Sequence, residues 1–262
     1  MPEKKLESSS SSHSSSSHSS SADCISVTLK LPSYTFPPKK LISENNFIIS
    51  KYAYGRDYHK VLRNKLKKLF TKIRDKIGEV EGRVFVDSAP IHERAWAKLS
   101  GVGWIGKNSL LINKNQGSYF FLAEIICDLD LEYDEPVLNR CGNCTRCIDA
   151  CPTDAITKAQ VIDANKCISY LTIENKEKIP KELRGSINNS IFGCDICQDV
   201  CPWNKKSVPH NEKEFIPKKE LRDLKKKDWI ELTEDTFNKI FEGSAVKRTK
   251  FKGLKRNIKA VS

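Results

Sequence analysis

The chain has 262 residues, 39% apolar and 30% charged, the balance of a soluble protein with room for one large domain or two small ones. No apolar run approaches the roughly 20 residues that span a bilayer, and the N-terminus has no apolar secretory core. Membrane and secreted classes are therefore set aside, and a cytoplasmic setting is expected, where clustered cysteines hold metal or do redox chemistry.

The formal charge is +12, from 45 Lys and Arg against 33 Asp and Glu. The excess is concentrated in KKELRDLKKK (218–227) and KRTKFKGLKRNIK (247–259). Single lysines are ordinary solvated surface, but an excess of this size favours a polyanionic partner, nucleic acid first.

In chain order, residues 1–23 carry a serine tract that buries too little to order itself, and a disordered tail is expected. His13 and His18 within it are read as inert. CISVTLKLPSY (24–34) has the β-branched alternation of a strand, and PPKK (37–40) breaks it. From Asp57 to Gly78 the period changes: Val61, Leu62, Leu66, Leu69, Ile73 and Ile77 share one helical face, lysines take the other, and Gly78 is the stop. RVFVD (83–87) reads as a short strand. Pro90 is expected to open a helix through Leu99, which the Gly101/Gly103 pair ends. SLLIN (109–113) and SYFFLAEIICD (118–128) read as two strands around the turn KNQG. Strand signals then nearly vanish, a boundary is expected near Asp134–Asn139, and the segment after Trp203 is lysine-rich and helical with a thin apolar pattern.

Eight of the ten cysteines lie between 141 and 201. The first block is Cys141-x2-Cys144-x2-Cys147-x3-Cys151-Pro152; the second is Cys167, then Cys194-x2-Cys197-x3-Cys201-Pro202. Zinc explains CxxC pairs but needs neither a third cysteine at the same spacing nor a fourth before proline. A cubic 4Fe–4S cluster uses both: three thiolates wrap one cube and the fourth reaches the other cluster. The spacing therefore predicts Cys141, Cys144, Cys147 and Cys201 on one cluster and Cys151, Cys167, Cys194 and Cys197 on the other. Cys24 and Cys127 fall outside the pattern and are read as ordinary thiols.

Two clusters form a short electron wire, and a wire needs an acceptor. VDSAPIHERAWA (86–97) ends a strand at Asp87, where an α/β unit exposes reactive groups; Asp87 as a simple helix cap is the competing reading. In GVGWIGKNSLLIN (101–113), the glycines around Trp104 fit either close approach to a flat ligand or tight turns. No GxGxxG follows a strand and no phosphate loop is present, so neither a dinucleotide nor ATP is indicated.

RVFVDSAPIHERAWAKLSGVGWIGKNSLLIN, the eight-cysteine array, CISYLTIE (167–174), IFGCDICQDVCPWN (191–204), KRTKFKGLKRN (247–257) and YAYGRDYHKVLR (52–63) together resemble the epoxyqueuosine reductase family. The resemblance runs from about Ile49 to Ile258. It implies an α+β fold, with a nitroreductase-like cobalamin-binding domain followed by a ferredoxin-like module holding two [4Fe–4S] clusters. The expected divisions are a tail over 1–23, a cobalamin-binding catalytic domain over 24–136, a ferredoxin-like domain over 137–205 and a basic helical segment over 206–262. The implied reaction is the reduction of epoxyqueuosine to queuosine at the tRNA wobble position, with Asp87 as proton donor. The implied corrinoid contacts are Ala53, Asp87, Leu111, Ser169, Lys176, Cys194 and Asp195, and the implied tRNA contacts lie around Lys178 and over Lys247–Arg256. A flavodoxin- or ferredoxin-type electron donor and a monomeric state are expected.

Relative to the family pattern, a shortened N-terminal segment and no helical repeats after Arg256 are expected. A carboxyl acts as an acid at neutral pH when burial raises its pKa, and Trp104 is expected to supply the apolar wall around Asp87. Two rival readings share some of these features: a two-cluster electron carrier with a degraded corrinoid domain, and a corrinoid reductase acting on a small molecule. VDSAP, GWIGKN and the basic tail favour the tRNA enzyme over both.

Overall fold

The structure is a computed structural model describing residues 23–30, 46–87, 89–207, 210 and 212–262. The serine tract of 1–22 and PPKK lie outside the described residues.

A three-stranded antiparallel sheet in the order β1-β6-β3 organises the first half, with β1 at Asp23–Lys30, β3 at Gly82–Phe85 and β6 at Phe120–Cys127. Alternation along β6 sends Phe121, Ala123, Ile125 and Cys127 to one face and Phe120, Leu122 and Glu124 to the other. Helix α1 (Tyr58–Ile77) covers the first face with Val61, Leu62, Leu66 and Phe70. Asp57 caps α1 by accepting from the His59 amide at 3.1 Å, and Gly78 at φ +104° ends it. Leu69 and Ile77, expected inside, are 40% and 62% exposed. The buried stripe runs through Phe70, four residues after Leu66, and so bypasses position 69.

Helix α2 (Glu93–Leu99) covers the second face through Ala97, packed with Leu111 and Phe120. It starts three residues later than Pro90, the expected opening. Asp87 sits at φ +49°, and the amides of Ala89 and Ile91 bond back to Asp87 and Ala89 carbonyls at 2.7 Å, so the chain spends those residues turning. Asp87 therefore caps nothing; His92 holds the cap position.

SLLIN forms β5 (Leu111–Ile112) but pairs backwards with β4 (Trp104–Ile105) in a hairpin, and meets the 117–118 side only through an Asn113–Gly117 bridge. A Cβ at Gly103 would lie 2.1 Å from the Ile112 carbonyl oxygen. Gly103 thus serves the close hairpin, one of the two readings the sequence left open.

Residues 129–141 carry no helix or strand. Short elements follow: α3 (Arg146–Asp149), the hairpin β7 (Ile156–Lys158) and β8 (Val161–Ile162), α4 (Ile168–Ile173), β9 (Ser190–Phe192) and α5 (Ile196–Asp199). β2 (Ile48–Ile49) pairs in parallel with β9. The segment after Trp203 folds as α6 (Lys219–Asp223), α7 (Lys226–Ile230), α8 (Glu234–Ile240) and α9 (Lys250–Val261). Its apolar pattern is not thin in effect: Trp229, Phe237, Phe241, Val246, Leu254 and Ile258 share one buried cluster with Phe47, Ile49, Ala53, Ile173, Ile191 and Phe192. Short helices hide such a pattern because each supplies only one or two inward positions. No helix among the described residues is long and apolar enough to cross a membrane.

Asn257 pins this core. It is fully buried, and its amide donates to the Thr172 and Ile191 carbonyls at 2.7 and 2.8 Å. Asn257→Leu strands both carbonyls, each worth about 1–3 kcal/mol. We expect a loss of about 3 kcal/mol, read as a lower urea midpoint at unchanged slope.

Candidate active site

Asp87 projects from the turn after β3 and lines an open cavity of about 730 Å³ with Ile91, Glu93, Arg94, Ile105 and Ser109. Its Oδ2 accepts from the Tyr58 hydroxyl at 2.7 Å and from His59 Nε2 at 2.8 Å. The other ring nitrogen of His59, Nδ1, faces Asp57 Oδ1 at 2.7 Å. Both groups come from the first turn of α1, which Asp57 caps, so one local device aligns the ring. Tyr58 is fixed by stacking on Phe121 with centroids 4.1 Å apart.

Between two carboxylates, His59 satisfies both only as the imidazolium. Burial by itself lowers its pKa, but the bonds to Asp57 and Asp87 outweigh burial and lift it to about 9. The His59 bond in turn holds Asp87 below the usual carboxylate range, against the upward push of burial and with help from Tyr58 and Arg248. This overturns the expectation that burial raises Asp87: the proton is stored on His59 at neutral pH.

Trp104 is not part of this wall. It is 1% exposed, donates Nε1–H to Cys141 Sγ at 3.4 Å and meets Trp203 edge-on at 5.0 Å. The β4–β5 hairpin carries it toward the cysteines. Arg248 stands near Asp87, with Nη1 3.9 Å from Oδ2, and its Nε donates to Glu174 at 2.9 Å.

The cysteine blocks fold as two similar loops, each entering a one-turn helix, α3 or α5, and each closed by Cys-Pro. Cys141, Cys144, Cys147 and Cys201 line one cavity of about 350 Å³ with Lys107, Arg140, Arg146 and Trp203. Cys151, Cys167 and Cys194 are electrostatic neighbours, and Cys197 feels both Cys194 and Cys167. Burial pushes the Cys194 and Cys197 thiols up to about 12, so an apo chain keeps them protonated. Among the described residues no three His, Cys, Asp or Glu side chains are arranged to hold a single metal ion. Cys127 is a free buried thiol in the sheet core.

Asp195 and Tyr52 connect the second cysteine group with the Asp87 centre. Asp195, next to Cys194, accepts from Ser50 Oγ at 2.5 Å and from the Lys51 amide at 2.7 Å. Lys51 and the Tyr119 hydroxyl both reach Asp199 on α5. Burial raises Asp195 despite Lys51, and burial also raises the Tyr52 hydroxyl, which lies within the fields of both Asp195 and Asp87.

The remaining expected positions scatter. Ala53 and Leu111 are 1% and 3% exposed in separate cores, so a ligand meets their backbone at most. Ser169 on α4 is half-buried and Lys176 is exposed. Lys178, Lys247, Lys250, Lys252 and Lys259 are exposed. Arg256 is not a surface cation: its guanidinium donates to the Leu171, Asn175 and Glu177 carbonyls at 3.1, 2.5 and 2.8 Å, tying α9 to that loop. The residues not singled out from sequence are Tyr58, His59, Glu93 and Glu124. The Asp-Tyr-His triplet at a helix start was the signal for the first two.

Comparison with known proteins places this geometry. A family model described as "Epoxyqueuosine reductase QueG, DUF1730" matches residues 17–88, and one described as "4Fe-4S double cluster binding domain" matches residues 140–204. The epoxyqueuosine reductase of Cellulophaga algicola is 56% identical over 234 residues, 89% of this chain and 75% of that protein. That of Escherichia coli is 47% identical over 210 residues, 80% of this chain and 55% of that protein. A crystal structure of epoxyqueuosine reductase with a tRNA-Tyr epoxyqueuosine-modified stem loop superposes at a TM-score of 0.81 and 31% identity, covering 90% of this chain and 63% of that one.

Proposed function

The chain belongs to the epoxyqueuosine reductase family, and from that premise we propose that it reduces epoxyqueuosine to queuosine in tRNA, with His59 and Asp87 as a linked proton donor. The observation that carries the reading is the Asp57–His59–Asp87 chain at the edge of an open cavity.

The eight thiols fit two cubes. Cys141, Cys144, Cys147 and Cys201 take the outer one, and the basic rim of Lys107, Arg140 and Arg146 suits an acidic flavodoxin- or ferredoxin-type donor. Cys151, Cys167, Cys194 and Cys197 take the inner one, on the Asp195 and Asp87 side. A nitroreductase-like corrinoid site is read at the Asp87 cavity, with Ser169, Lys176, Asp195 and the backbone of Ala53 and Leu111 as further contacts. Cobalamin bound there supplies low-valent cobalt as nucleophile or reductant, chemistry that belongs to the cofactor.

The protein's part is the proton. As negative charge develops on the epoxide oxygen, His59 passes its Nε2 proton to Asp87 Oδ2, and the carboxylic acid so formed gives that proton to the oxygen. Neutral His59 keeps its orientation through Asp57. Affinity for the anticodon loop rests on phosphates meeting exposed lysines, so it falls with salt. Lys247→Glu with Lys252→Glu is expected to weaken tRNA binding and to cut the slope of log K against log salt by about 1.5.

The deciding experiment reconstitutes the protein anaerobically with iron, sulfide and cobalamin. About eight irons per chain, a corrinoid spectrum distinct from the free cofactor, and conversion of epoxyqueuosine to queuosine in a tRNA stem loop are expected. A loaded protein that leaves the nucleoside unchanged overturns the assignment.

A further inference from the structure

Deoxygenating an epoxide breaks two C–O bonds, forms a C=C bond and releases the oxygen as water. The balance is two electrons in and two protons in. The His59–Asp87 pair stores one proton, so the second needs a source. Glu124 is fully buried on the α2 face of β6, and neither carboxyl oxygen accepts from a backbone or hydroxyl donor; its one side-chain partner is the carboxyl of Glu93, a contact that needs a shared proton. An ionised carboxylate so placed is strongly disfavoured. The charged group facing it is Glu93, the first residue of α2. Glu93 Oε1 accepts the Asp87 amide hydrogen, and Glu93 lines the same open cavity as Asp87.

We propose that buried Glu124 and half-buried Glu93 form a carboxyl pair that holds the second proton and passes it through Glu93 to Asp87 once the first has been delivered. Resting on the reaction assigned above, this makes Glu124 a relay residue acting through Glu93, not a group that touches substrate. The proton leaves Glu124, crosses to Glu93, and reaches the Asp87 carboxylate through the cavity that both line. It turns the departing hydroxide into water.

The surroundings agree. Burial first, then Glu93, pushes Glu124 up to about 8; burial likewise raises Glu93, with the Asp87 charge pushing the same way and the Asp87 amide, Glu124 and His59 opposing. Opposite Glu124 in register are Phe85 on β3 and Ser26 on β1. Arg83, on the same face of β3, points its charge into solvent. Among the described side chains of β3 and β6 no cation reaches Glu124, and a shared proton takes that place.

The test has two arms. In the first, infrared spectra of the cofactor-free protein at pH 7 should contain the C=O stretch of a protonated carboxylic acid. It should fade as pH rises past about 8 and be missing in Glu124→Gln, which mimics the protonated form and keeps the fold. A wild-type spectrum without this band, or a band that survives the substitution, overturns the proposal. In the second, the loaded Glu124→Gln enzyme should turn over about 10²-fold more slowly at unchanged KM for tRNA. Its alkaline limb should move from about 8 to about 9, where His59 titrates. An unchanged rate and profile refute the relay even if the band is present. A wild type that shows the band yet never converts epoxyqueuosine refutes the reaction assignment and the relay with it, leaving only the buried acid.

Discussion

Asp87→Asn is expected to lower turnover on epoxyqueuosine tRNA by about 10²–10⁴-fold, the range for loss of a positioned proton donor. Clusters and tRNA affinity should be retained, because Asp87 touches none of the eight cluster cysteines and its one basic neighbour, Arg248, keeps its bond to Glu174. Asn keeps the size of the side chain and can still accept from Tyr58, so the turn at φ +49° is preserved; Asn tolerates that backbone as Asp does. The substitution removes the carboxylate that His59 needs on its Nε2 side. With one of its two carboxylate partners gone, the imidazolium is less favoured and the His59 pKa falls from about 9.

His59→Gln tests the same claim from the other end. If His59 stores the proton, its loss should match that of Asp87 within about tenfold, and the double variant should be little worse than either single one. If Asp87 instead carried its own proton, His59→Gln would cost little. The wild-type rate, already falling from about pH 8 as Glu124 ionises, should be lost as pH rises through about 9, because deprotonated His59 has nothing to give. A rate that rises through that range would sink the assignment.

The second large effect concerns the thiols. Cys197→Ala should remove the inner cluster and leave about four irons per chain, with turnover undetectable because no electron reaches the Asp87 side. Cys144→Ala should remove the outer cluster instead and leave the same iron count. The two variants are distinguishable: the first keeps the cavity near Trp203 filled and quenches Trp203 and Trp104 fluorescence as wild type does, whereas the second does not. Losing all iron in both would mean that the quartets fold as one unit. Retaining full iron in either would remove that cysteine from the ligand set.

Cysteine spacing needed no tertiary information to be read. Three thiols two residues apart state a local geometry that the chain closes within one loop and a one-turn helix, while the fourth, before proline, reaches across to the other block. Helix α1 was legible for the same reason, since its stripe and its Asp57 and Gly78 ends are set within 22 residues. What failed were the statements about neighbours. Trp104 sits beside Cys141 and not Asp87 because the β4–β5 hairpin folds backwards. Arg256 faces carbonyls 79 to 85 residues away rather than phosphates. The C-terminal helices build the core although each shows only one or two apolar inward positions.

The charge state of Asp87 is the clearest case. Composition can say that a carboxyl ends a strand. It cannot say that His59, 28 residues earlier, will lie 2.8 Å from it and take the proton. A pKa is a sum over every charge and hydrogen bond within a few ångströms, and those are gathered from α1, the β3 turn and residue 248 only when the sheet has closed. So the chain's own order of residues determined the double-cluster domain and the reaction class, while the packing of α1 and α2 on opposite faces of one small sheet decided where the protons are kept.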